Sequence, residues 1–389
     1  MSELVDIAWP DVDGRLRFEP VRDPEAGAAK LEIDPGELGW VDLTEPLRPA
    51  PDGPRIESPW NPGRAAQLCF LVDRDGERSA ACTRTILARA VAAAATNGLR
   101  PVMAAEVELL LRTDPGGEPV YPKIDHYGIV AGAPYEPIMR RLRALRFESV
   151  RVTASNPEYG PGQFEINLSH GPAMAAADAV CILRSWSEST AAAEGLVADF
   201  SAKPGDELSG NGLHVHQSLW RGARNAFWEG GLSAAGRGYL AGLLEGMSEL
   251  AALGSPSEDA YLRREDGSFC PTVVCWGGDN RTVAVRALDG SEGATRLEQR
   301  DAAADANPYL VFAGQVQAGL RGIERGGDPG TATTGNAYDD DELPRLPTDL
   351  GSALDLLAGS DLGRVTLGTD THAALLATLR GRVGRRVSR

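Results

Sequence analysis

Ser209-Gly210-Asn211-Gly212-Leu213-His214-Val215-His216-Gln217-Ser218-Leu219-Trp220 is the stretch from which the fold is read. Two glycines flank Asn211, and two histidines then alternate with Val215 and Gln217. On an extended segment successive side chains point to opposite faces. His214, His216 and Ser218 therefore share one face and offer two imidazoles and a hydroxyl to one cavity. A single strand histidine is most often a satisfied structural residue. Here two of the chain's five histidines stand at i, i+2 behind a glycine-rich turn, which favours a site.

Other strand-like segments carry charge where a buried strand should not. In Ala104-Ala105-Glu106-Val107-Glu108-Leu109-Leu110-Leu111, Glu106 and Glu108 alternate with apolar residues. Burying two anions on one face is costly, so the pattern demands a partner, an arginine or a metal, unless the strand lies at an exposed edge. Downstream, Glu158 precedes a Gly-Pro-Gly turn, and Glu165 and Asn167 share a face opposite Phe164, Ile166 and Leu168. Arginines then appear at strand spacing: Arg281 and Arg286 in one segment, and Arg296 and Arg300 about Glu298 in another. Glu106, Glu108, Glu158, Glu165, Glu298 and His214 form a mostly hard-oxygen donor set that suits Mg²⁺ or Mn²⁺ better than Zn²⁺. Arginines nearby suit phosphate oxygens, and metals with arginines around one cavity equip a protein for phosphoryl transfer. No Walker A or kinase glycine loop is present. The residues thus point to a metal-dependent, nucleotide-using enzyme and leave its acid and acceptor open.

Composition bounds the alternatives. With 389 residues the chain can bury a full core, and a net charge of -16 argues against non-specific nucleic-acid binding. Five cysteines without a CxxC pair fit reduced thiols. No stretch has the length and apolarity of a membrane span or signal peptide, so a cytoplasmic protein without membrane partners is expected. The first 76 residues read as a small β-domain: Arg15–Phe18 alternates after an Asp-Gly turn, and Ala66–Val72 is an apolar run. Residues 77–389 form the second domain. There, helices are predicted over Thr83–Asn97, Glu136–Arg146, Ala173–Leu196 and Gly236–Leu253, and from Pro308 to about Gly322 with Asn307 as its cap. A loop is predicted over Gly326–Pro347, then a helix from Thr371 and a basic tail ending RGRVGRRVSR.

The blocks EVELLL, EYGPGQFEINL, SGNGLHVHQSLW, WGGDNRTVAVRA, TRLEQR and ANPYLVFAGQVQAGLRGIE occur in the order found in the glutamine synthetase superfamily, which the chain resembles over about residues 55–370. The resemblance implies an α+β fold: a shortened β-grasp-like N-terminal domain and a catalytic domain with a curved antiparallel sheet. It implies a homo-oligomer with active sites between subunits. The chemistry it implies is activation of the glutamate γ-carboxylate by ATP as an acyl phosphate, which an amine then attacks. By resemblance, Glu108, Glu158 and Glu165 hold one metal beside glutamate, and Glu106, His214 and Glu298 hold the metal bridging the ATP phosphates. His216, Ser218 and Arg296 line the nucleotide, with Arg286 on phosphate. Arg281 contacts the transferred phosphoryl group, and Arg263 and Arg300 hold substrate carboxylate or acyl phosphate, near Ser209 and Gly210.

Departures from the family pattern select the subtype. Glutamine synthetases carry a glutamate after a Pro-Gly-aromatic turn that takes a proton from ammonium. Here Phe269 stands at that position, in Arg264-Glu265-Asp266-Gly267-Ser268-Phe269-Cys270-Pro271, similar to relatives that glutamylate organic amines. An aromatic ring cannot accept a proton but can pack against an apolar amine substituent. Ser209 replaces an asparagine that contacts glutamate, and the N-terminal Phe-Asp-Gly-Ser loop is lacking. The expected activity is ATP-dependent ligation of an acid, the γ-carboxylate of glutamate first, to an organic amine. Another acid, ammonium, or a catalytically silent scaffold are the alternatives.

Overall fold

The structure, a computed structural model, describes residues 4–386 except 59, 62, 124 and 148; the end of the basic tail, residues 387–389, lies outside the described residues. Its centre is an open 11-stranded sheet. The middle strand is Arg100–Arg112, buried at almost every position, so Glu106 and Glu108 do not lie on an edge. On one side follow Leu213–Arg221, Arg296–Gln299, Val285–Leu288 and Trp276–Gly277; on the other, Gln163–Leu168, Val150–Pro157 and Arg146–Phe147. All pairs along this path are antiparallel save the one at the Trp276–Gly277 edge.

Alternation gives this sheet one apolar and one polar face. Val107, Leu109, Phe164, Ile166, Leu213, Val215, Leu297 and Val285 are buried on the apolar face. Helix Ala173–Ala193 packs against the middle strand, and helix Pro308–Glu324 packs on Thr83–Thr96, Ala173–Ala193 and Ala234–Met247. The last pair approaches very closely. A Cβ on Gly242 would stand 2.1 Å from the Ala318 carbonyl oxygen, so only glycine permits this crossing.

The N-terminal part is a four-stranded mixed sheet in the order Leu16–Val21, Val5–Pro10, Ala65–Leu68, Arg55–Glu57, with Val5–Pro10 and Ala65–Leu68 parallel. The apolar run predicted over Ala66–Val72 is two strands in two sheets, Ala65–Leu68 and Phe70–Val72: the pairing to Val5–Pro10 ends with Cys69 N–H donating to the Ala8 carbonyl at 2.7 Å, and from Phe70 the chain pairs with Ala50 instead. One hydrophobic core runs from Ile7 and Trp9 through Leu71 and Ile86 to Phe312 and Leu375. Buried Arg84 ties the parts together, donating to both Asp178 oxygens at 2.9 Å while its guanidinium lies 4.3 Å from the Phe70 ring centre.

Several predicted boundaries shift for local reasons. Helix Glu136–Arg143 stops short because Arg146–Phe147 begins a strand, and the segment predicted over Gly236–Leu253 divides into Ala234–Met247 and Ala251–Gly254. Helices Leu350–Gly359 and Asp361–Leu367, capped by Asp349 and Ser360, precede Thr369–Arg380. Arg281 is not on a strand: the Asn280 side chain accepts from Thr282 N at 3.0 Å and folds the segment into a turn that leaves Arg281 exposed.

The Asn307 cap is present as predicted, accepting from Tyr309 N at 2.9 Å. Its Nδ2 also donates to the Asp11 and Val12 carbonyls at 3.3 and 3.0 Å, joining the helix to the N-terminal sheet. Asn307→Ala removes the cap and strands the Val12 carbonyl, while the Asp11 carbonyl keeps its bond from Gly14 N, so it should cost about 2–3 kcal/mol. The check is a lowered urea midpoint with an unchanged slope; an unchanged midpoint would show that the cap does not join the two parts.

Candidate active site

Register assembles the polar face. Glu106 sits opposite Asn167 on one side and His214 on the other, and Glu165 is opposite Glu108. Glu298 is opposite His216 on one side and Arg286 on the other. Residues far apart in sequence thereby form one contiguous patch. The turn before the histidine strand is fixed from below: buried Asn211 donates to the Ser201 carbonyl at 3.0 Å and accepts from Gln163 Nε2 at 3.0 Å. Gly210 lets Arg263 pass, since a Cβ there would stand 2.7 Å from Arg263 Cγ. Ser209 lies against Gly160 on the turn after Glu158.

Glu106 lies between the imidazoles, 3.3 Å from His214 Nδ1 and 2.9 Å from His216 Nε2. Burial disfavours its charge, but hydrogen bonds from both rings outweigh burial and hold the carboxyl well below the usual carboxylate range. Glu298, fully buried, is likewise held low: burial is opposed by the neighbouring His216 and the Arg300 charge. Arg300 reaches it at 2.5 Å, Arg286 pairs with it and with Asp279, and His214 Nδ1 is 4.0 Å away. Glu165 has no such compensation. Burial, then the charges of Glu106, Glu108 and Glu158, push its carboxyl up to about 9. Glu158 is raised too, by burial and by Glu108. Glu108 accepts from Gly212 N at 2.6 Å, with His214 Nε2 at 3.9 Å.

Carboxylates crowded until one resists ionisation are a donor set that a divalent cation would satisfy, which is the fit expected for Mg²⁺ or Mn²⁺. Donor atoms of Glu106, Glu165 and His214 lie within 4.8 Å of one another, and so do those of Glu106, His216 and Glu298. His216, expected only beside the nucleotide, thus also joins the Glu106–Glu298 group. Beyond it opens a cavity of about 410 Å³ that includes Glu106, His216, Ser218 and Arg296 in its walls. Arg296 Nε donates to His216 Nδ1 at 3.1 Å. Arg263 is buried and donates to the Asp301 carbonyl at 3.3 Å.

Sequence reasoning did not single out Arg151, Thr153, His170 and Trp220, which line the same cavity. Nor did it find His126, whose Nε2 is 3.6 Å from Glu158 Oε1. The lining residues on the strand Val150–Pro157 became legible only once that strand was known to flank Gln163–Leu168. His126 lies in a loop, where periodicity carries no signal. Phe269 is 42 % exposed, its ring edge-on to Tyr159 with centres 5.9 Å apart.

Residues 80–380 match the family described as glutamine synthetase, catalytic domain. The chain belongs to the glutamine synthetase family. It is an ATP-dependent carbon–nitrogen ligase by that membership. It is 34 % identical over 328 residues to gamma-glutamylethanolamide synthetase of Streptomyces coelicolor, covering 81 % of this chain and 70 % of that protein. To glutamate–isopropylamine ligase of a Pseudomonas species it is 33 % identical over 327 residues, covering 79 % and 71 %. Among solved structures, the ADP complex of GmaS superposes with a TM-score of 0.89 at 26 % identity, covering 98 % of this chain and 93 % of that one.

The raised Glu165 carboxyl has a measurable consequence. Below about pH 9 it carries a proton in the metal-free protein, and a cation must displace that proton to use the carboxylate. Mn²⁺ binding at pH 7.5 should therefore release about one proton, read by calorimetry in buffers of different ionisation enthalpy. Affinity should rise roughly tenfold per pH unit up to that carboxyl's pKa. Glu165→Gln should abolish the release; persistence of the full release would take Glu165 out of the cation site.

Proposed function

We propose that the chain activates the γ-carboxylate of glutamate with ATP and transfers the acyl group to an organic amine, forming a γ-glutamyl amide. The single observation that carries this reading is the patch about Glu106: imidazoles, uncompensated carboxylates and arginines on one sheet face beside a cavity of about 410 Å³. The gamma-glutamylethanolamide synthetase and glutamate–isopropylamine ligase relatives support the amine.

In this reading Glu108, Glu158 and Glu165 hold one divalent cation, and Glu106, His214 and Glu298, with His216 beside them, hold the other. When bound, Mg²⁺ or Mn²⁺ supplies neutralisation of the triphosphate charge. Ser218, His216 and Arg296 line the nucleotide, and Arg286 faces its phosphates. Arg281 reaches the transferred phosphoryl group from its exposed turn. Arg263 and Arg300 orient the acid near Ser209 and Gly210. A γ-carboxylate oxygen bonds to the terminal phosphorus as ADP leaves. The amine nitrogen then bonds to the acyl carbon, phosphate departs, and the nitrogen loses a proton. Phe269, unable to take that proton, offers apolar surface to the amine substituent.

The division into residues 1–76 and 77–389 is part of the same proposal, supported by the tight turn closed by Asp73 N–H and the Glu77 carbonyl. So are a cytoplasmic location, supported by five buried free cysteines, and a homo-oligomer with sites between subunits. Among the described residues no helix is long and apolar enough to cross a membrane.

The deciding experiment is phosphate release from Mg-ATP and L-glutamate with ammonium and a panel of organic amines. Release that requires an organic amine is expected. Release with ammonium alone would replace the reading with glutamine formation; none with any amine would exclude glutamate–amine ligation. Phe269→Glu should raise KM for isopropylamine about tenfold or more and admit ammonium; unchanged preference would remove Phe269 from the acceptor pocket.

A further inference from the structure

Four rings from three separate segments form an arc at the mouth of this site. Phe269 meets Tyr159 edge-on at 5.9 Å, Tyr159 meets His126 edge-on at 6.0 Å, and His126 stacks on Tyr127 at 4.0 Å. Glu158 lies against the arc, accepting from Tyr159 N at 2.9 Å and 3.6 Å from His126 Nε2. At the other end Arg300 Nη2 donates to the Phe269 carbonyl at 3.4 Å. The arc therefore spans from the carboxylate cluster to the arginine that pairs with Glu298.

Two features set these rings apart from ordinary surface residues. Among the described residues, Tyr127, Tyr159 and Phe269 account for every strongly exposed Phe, Tyr or Trp other than Phe18. In addition, only Asp42, Tyr127 and Phe269 among described non-glycine residues have φ in the left-handed region, at 64°, 57° and 60°. Aspartate tolerates that region; bulky aromatic residues resist it, and such strain persists where the surroundings enforce it, commonly at ligand clamps. Here Ser268 Oγ, the Arg300 guanidinium and the Tyr338 hydroxyl hold the Phe269 segment: Ser268 donates to the Arg263 carbonyl at 2.9 Å, and Tyr338 donates to the Cys270 carbonyl at 3.0 Å. The fold thus spends conformational energy to keep these exposed rings beside the site.

Exposed ring faces beside half-buried carboxylates suit one ligand chemistry. A ring face attracts a cation through its quadrupole, most strongly a weakly hydrated one, and its apolar surface favours a hydrocarbon substituent. We propose that this arc is the acceptor subsite, and that it selects a primary monoamine with a compact apolar substituent, received as its cation against Tyr159 and Phe269 with His126 and Tyr127 closing the far side, and releasing one proton to water to free the nitrogen lone pair before attack. The inference rests on the ligase reading above and names its substrate class. The carboxylates behind the rings draw the cation inward, and the rings discriminate by the size and apolarity of its substituent.

The test compares methylamine, ethylamine, n-propylamine and 1,4-diaminobutane as acceptors, with wild type, Tyr159→Leu and Tyr159→Phe. Wild-type KM should fall about fourfold per added methylene along the monoamines. Tyr159→Leu should raise KM for n-propylamine about fivefold, Tyr159→Phe should stay near wild type, and KM for glutamate and ATP should not move. A preference for the diamine, an unmoved amine KM in Tyr159→Leu, or an equal change in the glutamate KM would overturn the assignment. So would a changed sedimentation coefficient in Tyr159→Leu with unchanged amine KM, which would make the rings a contact between copies. If no amine supports turnover, the ligase reading fails separately, and calorimetry with phenyltrimethylammonium, which carries no N–H and cannot react, decides the subsite. Binding that Tyr159→Leu abolishes supports it; absence of binding to wild type overturns it.

Discussion

Everything in this protein depends on holding like charges together on one face of a sheet. Glu106, Glu108, Glu158, Glu165 and Glu298 come from four segments, and antiparallel register brings them to neighbouring positions. Two compensations differ in kind. Glu106 and Glu298 are neutralised from within, by imidazoles and arginines, and stay ionised. Glu165 and Glu158 are not, and burial raises both. The site is thus divided into a half already held ionised by its imidazoles and arginines and a half whose carboxylates gain most from a cation. That asymmetry lets the second half respond to what binds, while the first keeps its shape.

The scaffold explains how this imbalance is tolerated. The opposite face of the same strands is mostly hydrocarbon, from Val107 and Leu109 to Val215, Phe164 and Leu297, and the two glutamines on it, Gln217 and Gln299, are hydrogen-bonded to Gln315 and Tyr239 and to Asp301. Each strand is anchored there, so register cannot slip by one residue without exchanging core for carboxylate. The helices beneath are drawn close through glycine contacts such as Gly242 against Ala318. Asn211 locks the turn feeding the histidine strand, and Asn307 binds the N-terminal sheet to the catalytic core.

What the sequence disclosed follows from this logic. Alternation alone gave the shared face of His214, His216 and Ser218 and flagged Glu106 and Glu108, because period two is written locally. Helix caps such as Asn307 were legible for the same reason. Strand order was not, so nothing local told whether His214 or His216 would reach Glu298, and His216 lies directly opposite it. Arg281 looked strand-borne because it sits five residues before Arg286, yet the Asn280 side chain closes a turn there. The apolar run at Ala66–Val72 concealed a change of sheet at Cys69, which only the two different partners, Ala8 for Leu68 and Ala50 for Phe70, reveal. Residues 126, 127, 159 and 269 share no period and no spacing; they meet only when three loops converge.

The position of Phe269 joins these points. A carboxylate there would have added charge to a patch where Glu165 is already driven up by its neighbours. A ring adds none and still attracts a cation. The backbone strain at Phe269 and Tyr127 is then the cost of exposing hydrocarbon where folding alone would bury it or do without it. Replacing the charge by a ring removes a proton acceptor from the mouth and leaves the buried carboxylates to the cations. In the proposed ligase reading, the mouth distinguishes acceptors by their hydrocarbon and not by the number of hydrogens they can donate to a carboxylate.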